Sequence, residues 1–107
     1  SHNLNNLCVI LDNNKMQNET YTNKTLDVMP LKEKWKAFKW NVIEIDGHSF
    51  KEIHQAFKKF YLERKKPTVI IANTIKGKGV SFMEGSPAWH SKVLDENSYF
   101  NAMKELR

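Results

Sequence analysis

The nine residues Pro67–Ile75, PTVIIANTI, constrain the fold more than any other stretch of this chain. A continuous apolar run of this length, rich in β-branched residues, is the pattern of a strand buried on both faces. Strands of that kind belong to parallel sheets covered by helices, and the segment upstream supplies what such a sheet needs. Asn41–Asp46 (NVIEID) reads as a strand closed by Gly47. Ser49 and Glu52 then form a capping box, so a helix begins there. Phe50, Ile53, Phe57, Phe60 and Tyr61 form its expected core-facing stripe, and Lys65, Lys66 and Pro67 end it before a strand over Thr68 to Thr74. Strand, helix and strand at this spacing predict a right-handed parallel crossover.

The remaining elements extend the same pattern. Leu7–Leu11 (LCVIL) is another short apolar run, expected as a strand buried on both faces. The polar stretch from Asp12 to Asp27 has no helical period and reads as a long loop. Pro30 suits the first turn of a helix, where its missing N–H costs nothing. Leu31, Trp35 and Phe38 follow at i, i+4 and i+7 on one face. A last helix is expected from about Asp95 to the end, with Tyr99, Phe100, Met103 and Leu106 on one side. The fold class is therefore α/β with a parallel sheet and crossover helices. The first strand begins six residues into the chain, and a parallel strand buried on both sides needs neighbours, so the chain is expected to be part of a larger domain.

Composition excludes several classes of function. The chain has 107 residues, with 17 Lys and Arg against 12 Asp and Glu, a net charge of +5. That balance suits an anionic partner, but the lysines are spread along the chain with no contiguous stripe and no base-reading motif. Solvated helix faces account for them better than nucleic acid does. No apolar stretch reaches the roughly 20 residues of a membrane span, and no signal peptide precedes the first strand, so no membrane partner is expected. The single cysteine, Cys8, lies in an apolar run and is expected as a small buried thiol, consistent with a cytoplasmic protein.

The chemistry concentrates in Lys76–His90, KGKGVSFMEGSPAWH, directly after the PTVIIANTI strand. Open α/β sheets bind anionic ligands beyond the carboxyl ends of their strands. Alternating Lys and Gly there offer backbone N–H groups that can approach an anion closely, together with compact positive charge. Trp89 and His90 then add an apolar wall, or an ordinary packing residue, and a titratable ring. Taken singly, each residue has a plainer reading. Asn14 lies in a strand-to-loop NN pair, where Asn forms turns, and Met16 would fill a core. Lys76 and Lys78 would be solvated, His48 would be a turn or cap residue, and His54 would be a surface histidine.

Together, LDNNKMQ after the first strand, KWKAFKWNVIEIDGHSF, and PTVIIANTIKGKGVSFMEGSPAWH resemble transketolase. More narrowly, they resemble the N-terminal thiamine diphosphate-binding domain of bacterial transketolases of the split type, with separate N- and C-terminal subunits. The resemblance covers nearly the whole chain and is weakest at the final helix. It implies that residues 1–107 are the C-terminal portion of a diphosphate-binding domain, itself part of a larger thiamine diphosphate-binding fold. The implied cofactors are thiamine diphosphate and Mg²⁺ or Ca²⁺. The cation would be held by the diphosphate, an Asp from a GDG motif, the Asn14 side chain and the Met16 backbone carbonyl. Hard cations take such oxygen ligands, which explains why an apolar residue can stand at position 16. The resemblance also makes Lys76 the diphosphate-side lysine and His90 the histidine that serves diphosphate and sugar substrate, a cofactor-binding and catalytic role.

The implied reaction is two-carbon ketol transfer from a ketose phosphate to an aldose phosphate in the pentose phosphate pathway, with the organic chemistry supplied by the cofactor. Related thiamine diphosphate enzymes such as deoxyxylulose phosphate synthase are the alternative, which the GKGVSFME and WH motifs disfavour. The implied partners are sugar phosphate substrates and a pyrimidine-binding domain or C-terminal subunit, which carries the glutamate that activates the cofactor, within an oligomer. Two departures stand out. Ser91 occupies the place of the family's Gly after the Trp-His pair. The GDG motif, about one helix before the Asn, is outside these residues, so the 107-residue chain alone is expected to be inactive; the competing reading is a truncated non-catalytic module that folds or associates but binds no cofactor alone.

Overall fold

A computed structural model of the chain describes residues 4–107. In chain order the elements are β1 (Cys8–Asn13), β2 (Met16–Gln17), β3 (Thr20–Tyr21), α1 (Thr22–Thr25), α2 (Leu31–Ala37), β4 (Asn41–Asp46), α3 (Phe50–Leu62), β5 (Thr68–Asn73), a 3-10 turn at Pro87–Trp89 and α4 (Glu96–Glu105). They fall into two compact units. One comprises residues up to 13 together with 28–74, and the other 14–27 together with 75–107.

The first unit is a three-stranded parallel sheet in the order β1-β5-β4. Its centre is the PTVIIANTI run. Thr68, Val69, Ile70, Ile71 and Ala72 are all buried, which is what an unbroken apolar strand requires of its surroundings. The register sets Ile70 between Ile10 on one side and Ile43 on the other. Helix α3 joins β4 to β5, the parallel crossover expected from the sequence. Ile43, Ala56 and Ile70 form the core, with Cys8, Ile45 and Phe57 packed against it. Burial pushes the Cys8 thiol pKa up.

The α3 cap forms as anticipated, with one difference. Ser49 Oγ accepts the Glu52 N–H at 3.3 Å, but the Glu52 carboxylate accepts from Asp46 N–H at 2.8 Å rather than from the cap residue itself. Glu52 therefore ties the first turn of the helix to the last residue of β4. We expect Ser49→Ala to accelerate amide exchange over residues 50–53 about fivefold, the equivalent of a cap contributing about 1 kcal/mol. Unchanged exchange by mass spectrometry would show that the cap does not hold the helix.

The apolar stripes are narrower than the sequence pattern suggests. Phe50 is 90 % exposed and Tyr61 is also exposed, while the buried residue of α3 is Ala56. A small side chain lets the helix settle onto the sheet at that turn. Phe50, at the first helical position, lies beyond the contact, and Tyr61 stacks beside Phe60 with centroids 5.4 Å apart. Phe38 is exposed for a related reason: α2 stops at Ala37, so the helical period ends before it. Trp35 instead meets Trp40 edge to face at 4.8 Å. Strand β1 runs on to Asn13 and is not covered on both faces, since Ile10 is exposed at this edge of the sheet.

In the second unit, the segment expected as a loop holds structure of its own. β2 and β3 pair antiparallel, Met16 with Tyr21 and Gln17 with Thr20, around a turn in which Asn18 takes a φ of 55°. Asn tolerates that left-handed region better than most residues. Residues 75–86 form a chain of turns leading to the 3-10 turn and α4. Asp95 caps α4 by accepting from Ser98 N–H at 2.7 Å, a bond that lowers the pKa of its carboxyl. Ala102 is the buried residue of α4, whereas Tyr99, Phe100 and Leu106, expected on its packed side, are exposed. Among the described residues no helix is long and apolar enough to cross a membrane.

Candidate functional site

All four candidate residues, Asn14, Met16, Lys76 and His90, lie in the second unit. Asn14 and Met16 share one turn. The Asn14 Oδ1 accepts the Met16 N–H at 2.9 Å, across Lys15 at a φ of 61°. This is an Asx turn, so the turn-forming and ligand readings of Asn14 are compatible. An amide oxygen has two lone pairs, and the turn uses one of them. The side-chain oxygen of Asn14 and the backbone carbonyl of Met16 are thus hard oxygen donors on a short, hydrogen-bonded piece of chain, chemistry that fits a divalent cation. Among the described residues no group of three His, Cys, Asp or Glu side chains converges to hold a metal.

The Lys/Gly segment is built differently from an open cradle of N–H groups. The N–H groups of Lys78, Val80 and Met83 donate to the carbonyls of Ile75, Gly77 and Val80. Gly79 N–H donates to the Glu84 carboxylate at 3.1 Å, and Ser81 N–H donates to Glu105. The loop is sealed at its base by Gly85 N–H donating to Lys76 O at 2.9 Å. Gly77 is required for this closure: its φ is 73°, and a Cβ there would come within 2.7 Å of Met83. The loop's N–H groups are therefore largely taken by the protein itself, and the expected backbone cradle for an anion is not what forms. What the loop presents instead is side-chain charge.

The two lysines differ in that respect. Lys78 Nζ lies 3.3 Å from Glu84. Lys76 is half-buried, and among the described residues no carboxylate lies within ion-pair distance of it. Glu84 therefore distinguishes two lysines that the motif presents as equivalent, and it leaves Lys76 as the cation of the segment.

His90 follows the 3-10 turn, is exposed, and donates its backbone N–H to Pro87 O at 3.0 Å. Trp89 has the packing role. Its Nε1–H donates to Phe82 O at 3.0 Å, its ring lies 5.4 Å from Phe82, and Lys92 Nζ sits 4.5 Å above it. Ser91 does not need the freedom of a glycine, because it is not among the residues with positive φ. Its hydroxyl donates to Glu19 at 2.9 Å, and Tyr21 OH donates to Gly85 O at 3.1 Å. These two bonds join the β2–β3 hairpin, which carries Met16, to the segment that carries Lys76 and His90.

The other histidines take the plainer roles. His54 is exposed on α3, and His48 stands in the turn after β4, with its backbone N–H bonded to Asp46 at 2.9 Å. The open clefts of the first unit, about 450 Å³ beside β4 and about 620 Å³ around Trp40 and Pro67, include none of the four candidates. Sequence reading did not single out Glu19, Tyr21, Glu84 or Glu105. Glu84 had a local signal, a carboxylate six residues after Lys78, whereas Glu105 had none.

Residues 1–106 match the family model for the transketolase thiamine diphosphate binding domain. The chain is 44 % identical over 103 residues to SqwG of Clostridium sp. (strain MSTE9), part of a 6-deoxy-6-sulfo-D-fructose transketolase, covering 96 % of this chain and 38 % of that protein. It is 36 % identical over 103 residues to one of the subunits of the apulose-4-phosphate transketolase of Phocaeicola vulgatus, covering 96 % of this chain and 37 % of that protein. The structure superposes on a crystal structure of transketolase from Campylobacter jejuni with a TM-score of 0.88 at 30 % identity, covering 98 % of this chain and 16 % of the other. The chain thus spans less than two fifths of the length of these relatives.

Proposed function

The chain belongs to the transketolase thiamine diphosphate-binding domain family, and we propose that it forms the C-terminal portion of that domain in an enzyme transferring two-carbon ketol units between sugar phosphates. The observation that carries this reading is the family match over residues 1–106, and the uncompensated cation Lys76 after the central strand agrees with it. Thiamine diphosphate, when bound, supplies the nucleophilic carbon and the electron sink for this chemistry.

The residues of this chain would bind and orient. The Asn14 side-chain oxygen and the Met16 carbonyl would hold Mg²⁺ or Ca²⁺, prealigned by the hydrogen bond between the two residues. The Lys76 ammonium would neutralise the diphosphate. The His90 imidazole would bond the sugar substrate and move a proton at its oxygen, held in place by the Pro87–Trp89 turn. The two relatives described above, SqwG and the apulose-4-phosphate transketolase protein, are subunits by name, which supports completion of the site by another subunit or by a pyrimidine-binding domain, in an oligomer. We place the enzyme in cytoplasmic sugar phosphate metabolism, the pentose phosphate pathway being one such setting, where the lone thiol Cys8 stays reduced.

The test is Asn14→Ala in the assembled enzyme. We expect the Mg²⁺ concentration needed for half-maximal cofactor retention to rise at least about tenfold, the loss of one oxygen ligand to a charged centre. Retention after gel filtration at graded Mg²⁺ measures it. An unchanged Mg²⁺ requirement would remove Asn14 from the site.

A further inference from the structure

We propose that Glu105 is a positioning residue, latching α4 onto the Lys76–Gly85 loop so that the Lys76 ammonium is held where the cofactor's diphosphate binds; this rests on the role given to Lys76 above. Glu105 grips Ser81 with both carboxylate oxygens. One accepts the Ser81 Oγ–H at 2.8 Å and the other the Ser81 N–H at 2.5 Å. These are charge-assisted bonds, the stronger kind. A carboxylate on the last residue of a helix is disfavoured by the helix dipole, so nothing in α4 itself calls for an acid there. The partner that does is across the gap, in the loop. The neighbouring Leu106 reinforces the contact: its Cδ2 lies 3.2 Å from where a Cβ on Gly79 would stand.

The loop is thereby fixed at two points. Its base is closed by the bond from Gly85 to Lys76, and its tip is held by α4 through Ser81. Helix α4 is in turn anchored at its other end by the Asp95 cap and in its middle by buried Ala102. Releasing the tip leaves Lys76 chemically intact but lets its backbone sample more positions. Cofactor affinity then falls because ordering the loop must be done on binding, while turnover with bound cofactor is unaffected.

The experiment titrates the assembled enzyme with thiamine diphosphate at fixed Mg²⁺, following tryptophan fluorescence and, separately, turnover. We expect Glu105→Ala to raise the Kd about tenfold and Glu105→Gln, which keeps one acceptor, about threefold. kcat at saturating cofactor should stay within about twofold of the parent in both. Ser81→Ala combined with Glu105→Ala should weaken binding no further than Glu105→Ala alone, because the two side chains act on each other. An unchanged Kd in Glu105→Ala overturns the proposal, and so does a loss of melting temperature with no change in Kd. If Glu105→Ala does not fold, unchanged affinity in both Glu105→Gln and Ser81→Ala overturns it equally. Lys76→Met is run alongside. Full affinity in that variant refutes the role of Lys76, whereas weakened binding there with full affinity in Glu105→Ala refutes the latch alone.

Discussion

Lys76→Met raises the Kd for thiamine diphosphate about a hundredfold in the assembled enzyme, whereas Lys78→Met changes it by less than about threefold. The motif alone gives no ground for this asymmetry, since both lysines sit beside a glycine in KGKG. The ground is Glu84, which lies 3.3 Å from the Lys78 ammonium and whose carboxylate also takes Gly79 N–H. Lys78 is already neutralised and held within its own loop. Lys76 is half-buried and meets no carboxylate among the described residues, so its charge is available to an anion. Removing a charge-assisted contact to a diphosphate costs about 2–3 kcal/mol, which is the hundredfold. Calorimetric titration with Mg²⁺ present measures both variants. Equal losses for the two would mean that Glu84 does not separate them. Glu84→Gln should then bring Lys78 into play and partly rescue Lys76→Met.

Ile70→Ala has the other large effect, on stability rather than binding. Ile70 is 2 % exposed at the centre of β5, flanked by Ile10 and Ile43 and part of the core with Ala56. Truncating it removes the transfer energy of three carbons and leaves a cavity that neighbouring strands cannot collapse into. We expect a loss of about 3–4 kcal/mol, read as a lower urea midpoint at unchanged slope. Ile10→Ala, across the same rung but exposed, should cost less than about 1 kcal/mol. Similar losses at both positions would contradict the burial pattern of the sheet.

The strands and the crossover were legible because their signals are local. PTVIIANTI and NVIEID are continuous or nearly continuous apolar runs, and Ser49 with Glu52 marks the start of α3 within four residues. The width of each apolar stripe was not legible. Whether Phe50, Phe38 or Tyr99 is covered depends on where a helix stops and which turn touches the sheet, and neither is encoded by period. The β2–β3 hairpin escaped notice because two-residue strands carry no periodicity. At the candidate site, Asn14, Met16, Lys76 and His90 came from the family resemblance, because each residue type read singly has a plainer role. The two glutamates that organise the Lys/Gly loop did not stand out. Glu105 is separated from Ser81 by 24 positions, and no pattern in a single sequence announces a contact of that kind.

The order β1-β5-β4 has a consequence for how the chain is made. Within the described sheet neither outer strand pairs with the other; both are joined only through β5. Cys8 must wait for Thr68, and Asn41 must wait for the same residue. At ordinary translation speeds the interval between synthesis of β1 and of its partner is roughly 3–12 s. For that time LCVIL cannot make the pairing with β5 that the described sheet gives it. Within the described sheet, pairing of both outer strands therefore follows synthesis of the central one.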